Sequence, residues 1–429
     1  MIKISSHTIR LFTGGFLLLL SSGCFKDRIT QTYTIVRRVY TTKTTVLGSI
    51  KGNPAQSIGS IGRLYVKDKY IYLNEPDKGI HIIDNSDPTR PSQVAFLSIP
   101  GNQEIAVKGN ILYADMYRDL LAIDISNPLN IRVTGTAHNV FSDRYDGIDG
   151  YTMVNNGVVV DSNLILTGYI KKDTTIGSGA PQDVFPGGGI VYYSPVAYAN
   201  SSSSSPGTGN GIAGSMAKMV LTADHLYTIS EPHTLGIVNA TNAASPTLTG
   251  TMSAGFDLET VFPFNDKLFL GSQEGMYIYD ISNPDKPTPA ATFTHGHACD
   301  PVITDGNYAY ITLHTGTVCG GMSNELDVVN VQNLQQTSQV KIYPMTKPGG
   351  LSKDNNLLFI CDGDEGVKLY DASDPANLQF ISQIGQTTAT DVIATNGHLL
   401  VTASSGLYQY DYSNIHDIRL VSTISLNNK

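Results

Sequence analysis

Four carboxylates, Glu104, Glu259, Asp300 and Asp391, stand at nearly equivalent positions ahead of short apolar runs in a chain that repeats itself. If those runs are the inner strands of a circular repeat, the four gather around one mouth of a central channel. Such a ring is chemistry for a cation, either calcium or magnesium through oxygen ligands or a positively charged ligand. The plainer reading has each carboxylate cap its own turn or meet Arg63 or Lys218, which lie at the same level of neighbouring units. Cys299 and Cys319 form a second group, because antiparallel strands would bring their positions together. In a secreted chain a disulfide is the favoured reading, with a soft metal site using His295, His297 and His314 as the alternative. Cys361 follows an apolar strand and reads as a buried free thiol. Asp362, Asp364 and Glu365 alternate as calcium ligands do, yet their DGDEG segment occupies the place of EPDKG at 75–79, and Asp-Gly is good turn chemistry. Gly-x-Ser-x-Gly, P-loop, His-Glu-x-x-His and Cys-x-x-Cys motifs are absent from the sequence, which argues against a standard hydrolase or dehydrogenase.

The elements that must position these residues come from one pattern: an alternating strand, a carboxylate, then Ser, Asn and Pro. It reads GIHIIDNSDP at 79–88, DLLAIDISNP at 119–128, TLGIVNATNA at 234–243, GMYIYDISNP at 275–284, ELDVVNVQNL at 325–334, GVKLYDASDP at 366–375 and GLYQYDYSNI at 406–415. The anchors are Asp84, Asp124, Asn239, Asp280, Asn330, Asp371 and Asp411. An Asp or Asn side chain there can accept a hydrogen bond from an N–H two residues on, and Pro fixes the φ that the turn requires. The anchors recur at about 40 to 50 residues, a propeller-blade period, and each unit offers four strands. The expected fold is therefore all-β, a propeller of seven four-stranded blades over residues 61–429, with eight blades as the alternative. The eighth would come from the long interval between Asp124 and Asn239, read as an insertion at about 141–215. That interval carries a pair of strands, 157–160 and 163–170, and a flexible Ser-rich stretch at 200–211. Residues 24–60 read as a tether and extended arm that pairs at an edge of the main body, with TVLGSI at 45–50 echoing AFLSI at 95–99.

LAIDISNP and IHIIDNSDP, with their near-constant spacing, resemble the LVIVD repeat family of bacterial propeller-type proteins. The resemblance covers about residues 61–426 and implies the fold, while implying little chemistry. At the start of the chain, Lys3 and Arg10 precede the apolar run 11–20, then Ser21, Ser22, Gly23 and Cys24. This is a signal-peptide order over residues 1–23, and the cysteine after small residues is similar to the lipobox of bacterial lipoproteins, which implies lipidation at Cys24. A formal charge of -9 argues against nucleic acid and against electrostatic adhesion to anionic lipid. The expected contact with a membrane is the N-terminal lipid. The expected location is the cell envelope, as an outer-membrane lipoprotein facing the periplasm or the cell surface. The function expected of such a propeller is that of a non-catalytic module binding a protein or glycan. The alternative is a propeller-type glycan-processing lyase or hydrolase with its site at the central channel.

Overall fold

The computed structural model describes residues 30–128, 130–142, 144, 151–154, 157–160, 164–177, 212–296, 301–315, 321, 323–385 and 387–426. They separate into two compact units, one holding 40–166 with 197–429 and the other 1–39 with 167–196. The first contains seven antiparallel blades. Each opens with a short first strand: Leu64–Lys67, Ile105–Lys108, Met219–Thr222, Leu258–Phe264, Val302–Thr304, Leu351–Asp354 and Ala389–Thr395. First strands of successive blades touch one another, so they line the axis. Three further strands follow in chain order within each sheet.

Sequence pattern tracks distance from the axis. Inner strands are covered on both faces and stay buried beyond their first residue, as Tyr70–Glu75 and Ile111–Met116 do. Outermost strands alternate, as Thr247–Ser253 does, because one face meets water. Third strands begin where little space is left. Gly79 lies at φ +143°, and a Cβ there would stand 1.8 Å from the Leu97 carbonyl oxygen of the outer strand.

The repeated turn does its work in all seven blades. Each anchor oxygen accepts the N–H two residues on: Ser86 to Asp84 at 2.9 Å, Ser126 to Asp124 at 3.0 Å, Thr241 to Asn239 at 3.0 Å and Ser282 to Asp280 at 2.8 Å. Gln332 to Asn330 at 3.0 Å, Ser373 to Asp371 at 2.8 Å and Ser413 to Asp411 at 2.9 Å complete the set. Just before every anchor the third and fourth strands slip by a bulge, for example between Ile82 and Ile83 and between Gln409 and Tyr410. The turn also docks the preceding blade. Tyr113 donates its hydroxyl to the Ala243 carbonyl at 2.9 Å, Tyr227 to that of Pro284 at 2.8 Å and Tyr343 to that of Pro375 at 3.0 Å.

Hydrogen bonds from the Ser282 hydroxyl and N–H hold the Asp280 carboxyl down to about 2. A depressed folded pKa means stability that is present above the ordinary carboxylate range and lost as pH falls through the folded value. Asp280→Asn is expected to match wild type in urea at pH 7 and to lose less stability toward pH 2. Asp280→Ala is expected to be destabilised at neutral pH. Equal loss in both variants at pH 7 would separate the turn from this hydrogen bond.

At the seam between the seventh and first blades the described residues meet through apolar packing and an amide pair. The seventh blade is built entirely from strands between 389 and 425, and Ile393, Leu400 and Leu407 pack with Leu64, Ile71, Leu73 and Ile83 of the first blade and with Ile58 of the chain entering it. Asn85 and Gln409 exchange two amide hydrogen bonds across the seam, at 2.9 and 2.8 Å.

Three local expectations change. Residues 45–50 do not echo a strand: Lys43–Ser49 is a helix, with Thr42 capping the Thr45 N–H at 3.2 Å and Val46 buried. The arm instead meets the edge of the first blade at one bridge, Asn53 with Phe96. Gly157–Val160 pairs antiparallel with Tyr151–Val154 rather than with the strand after it. Leu164–Gly177 forms its own two-stranded sheet with Thr30–Thr42.

Candidate site at the head of the channel

Strand register fixes which residues share a level. Leu64, Ile105, Met219, Val261, Val302, Leu351 and Val392 each pair with the third residue of the second strand counted from the partner of the anchor. The residues just before them are Arg63, Glu104, Lys218, Thr260, Pro301, Gly350 and Asp391. Glu104 and Asp391 therefore lie on one level with Arg63 and Lys218. Glu259 sits one residue earlier, in a bulge between Leu258 and Thr260, and Asp300 lies outside the described residues.

Glu104 is 1 % exposed and both its oxygens are engaged. Arg63 donates from Nε and Nη2 to Oε1, each at 2.7 Å, and the Lys218 N–H donates to Oε2 at 3.1 Å. Asp115, fully buried, backs this pair. Its Oδ1 accepts from Asn102 Nδ2 at 2.8 Å, from the Gln103 N–H at 2.8 Å and from the Glu104 N–H at 2.7 Å. Its Oδ2 pairs with Arg144. Gln273 donates to Glu259 at 3.0 Å. Asp391 is buried and shares a field with the Cys361 thiol, which burial raises well above its ordinary value. Among the described residues no group of three His, Cys, Asp or Glu side chains is placed to hold a metal ion.

The insertion does not leave and re-enter as a passive loop. At its start, Phe141 is buried and Arg144 lies over its ring, 4.3 Å from the centroid. At its end, Ile212 and Ala213 pair antiparallel with Val66 and Tyr65, adding a fifth, innermost strand to the first blade. Leu351 of the sixth blade then donates its N–H to Ser215 Oγ at 3.0 Å. Val261 of the fourth donates its N–H to the Ala217 carbonyl at 2.8 Å, after which the chain enters the third blade. A segment bonded to the inner strands of blades on several sides of a ring crosses its axis. Residues 212–217 thus belong to the propeller, although the sequence reading placed the end of the insertion at about 215.

Both ends deliver a cation to the same place. Burial lowers the Arg144 pKa to about 10, with Glu104 opposing and Arg63 adding to the effect. Burial also lowers Lys218, and Arg63 and Arg144 push the same way against Glu104 and Glu259.

The remaining sequence candidates lie apart from this head. Asp362 accepts the N–H groups of Thr346 and Lys347 at 3.0 and 2.6 Å and pairs with Lys368 at 2.5 Å, so its oxygens serve a turn. Cys361 is free and buried. Cys24, His297, Cys299 and Cys319 lie outside the described residues. His295 and His314 are described, and burial lowers the pKa of each.

Near His295 stands a residue that sequence reasoning passed over, Asp327. It is 1 % exposed in the third strand of the fifth blade, and its Oδ1 has no hydrogen-bond partner. Burial, with Glu325 adding to it, pushes the carboxyl up to about 6, while His295 and Gln339 act the other way. Only its place in an apolar third strand, ELDVVN, signals it. A raised folded pKa means stability present below the ordinary carboxylate range and lost as pH rises through about 6. Asp327→Asn is expected to gain about 1–3 kcal/mol at pH 8 and nothing at pH 4, read as a shift in urea midpoint. A loss at both pH values would show that the charged form is held favourably.

Residues 58–95 and 101–136, the first two blades, match the LVIVD repeat. No curated protein matches the chain. Among solved structures, the computationally designed Ika8 protein is similar at TM-score 0.52 and 8% identity, over 88% of this chain and 91% of that one. Sqt1 of Saccharomyces cerevisiae gives 0.48 at 10% identity, over 91% and 88%. BamB from Moraxella catarrhalis gives 0.45 at 9% identity, over 86% and 97%.

Proposed function

We propose that this chain, a seven-bladed propeller carrying LVIVD repeats, is a lipid-anchored binding or protein-interaction module of the cell envelope that works from the channel head where the insertion is rooted. One observation carries the reading: residues 212–217 cross the axis while Arg63 and the Lys218 N–H occupy both oxygens of Glu104. Acid–base chemistry on a glycan needs carboxylates free to face substrate and move protons. Glu104 is instead held as a structural counter-ion, which supports recognition over turnover. Loops from every blade, together with a long insertion, make a broad surface for a protein or glycan.

The anchoring part rests on residues 1–24. Cys24→Ala is expected to release the protein from membranes or block its maturation, and equal fractionation of variant and wild type without lipid mass would refute it. Recognition is tested with the full-length protein against defined glycan and envelope-protein panels, comparing wild type with a chain lacking residues 199–211. Saturable binding without product formation, weakened in the shortened chain, is the expected result. Cleavage of any glycan, with the activity lost on substitution at the channel head, would replace the module by a glycan-processing enzyme.

A further inference from the structure

Three cations converge on the channel head, and Glu104 and Asp115 beside them are held by fixed partners. Glu104 is saturated by Arg63 and the Lys218 N–H, and Asp115 by Asn102, two N–H groups and Arg144. Glu259 also acts on the Lys218 charge, with Gln273 donating to one of its oxygens. Among the described residues the Lys218 ammonium itself has no hydrogen-bond or ion-pair partner, although the side chain is half-buried. Arg63 and Arg144 act on this charge against Glu104 and Glu259, and an ammonium has three donors to satisfy. Arg144 and Lys218 arrive from opposite ends of the insertion, so the cluster exists only in the closed head.

We propose that the channel head is a binding site for a small oxyanion, a carboxylate or a phosphate, seated on the Lys218 ammonium and flanked by Arg63 and Arg144. Guanidinium groups suit either anion through paired N–H donors, and the ammonium supplies a point charge. An anion there supplies the acceptor that the Lys218 ammonium lacks among the described residues. The inference deepens the proposed recognition role by giving the chemical class of the group that the head takes.

Full-length protein is titrated with succinate and, separately, with inorganic phosphate, against chloride at matched ionic strength, following the thermal midpoint. A saturable rise with one or both oxyanions is expected, and which of them saturates at lower concentration identifies the source. Lys218→Met is expected to weaken the response about tenfold, while Lys218→Arg retains it. Should Lys218→Met fail to fold, amine acylation of Lys218 in the wild-type protein provides the readout, and either anion is expected to slow it saturably. No saturable rise with either anion, an equal rise in Lys218→Met, or acylation indifferent to both would overturn the site. These titrations need no macromolecular partner, so an empty partner screen would count against the broader role while leaving the anion result standing.

Discussion

Glu104→Ala is expected to lower the unfolding free energy by about 3–5 kcal/mol, because it strands the Arg63 guanidinium in a buried position. The two side chains are 2% and 7% exposed, and the carboxylate also anchors the Lys218 N–H, so water cannot readily take its place. The check is the urea midpoint at neutral pH, with the slope watched for loss of a single transition in a chain this large. A companion double variant, Arg63→Met with Glu104→Leu, is expected to recover most of the loss, since removing both charges leaves only the Lys218 N–H without its acceptor. A single variant within about 0.5 kcal/mol of wild type would mean that the pair is more solvated than its burial indicates.

The second large effect falls at the ring seam. Leu407→Ala deletes a fully buried side chain packed with residues of the first and seventh blades, and large-to-small changes of this kind cost about 2–5 kcal/mol. Where it acts matters as much as how much. Among the described residues no strand from the start of the chain completes the last blade, so the seam relies on this packing and on the Asn85–Gln409 amide pair. Amide exchange in Leu407→Ala is expected to accelerate first across 389–425, with the second to fifth blades unchanged. Uniform acceleration around the ring would show that the seam is no weaker than any other blade interface.

How much was legible in the sequence follows from what is local. The anchor turns were readable because an Asp or Asn bonding its own backbone two residues on needs no tertiary information, and all seven bonds form. Four strands per unit followed from the same spacing. The level of Glu104 with Arg63 and Lys218 was also accessible, since position relative to the anchor sets it. The bulge that displaces Glu259 by one residue was not, because its sequence carries no glycine or proline mark. Crossing of the axis by 212–217 was hidden for another reason. Two residues of pairing with Val66 and Tyr65 are too short for any periodicity, and the partners of Ser215 and Ala217 are backbone groups far along the chain. Arg144 and Asp327 were likewise invisible, because each takes its meaning from burial that only the assembled ring provides.

Amide hydrogen exchange at Leu351 and Val261 tests the crossing segment most directly. Both N–H groups belong to first strands and donate to Ser215 Oγ and to the Ala217 carbonyl. Exchange as slow as that of core amides such as Leu270 is the predicted result in wild type, with selective acceleration at Leu351 in Ser215→Ala. Fast exchange at both in the wild-type protein would mean an open channel, and the reading of its head as a closed binding site would fail.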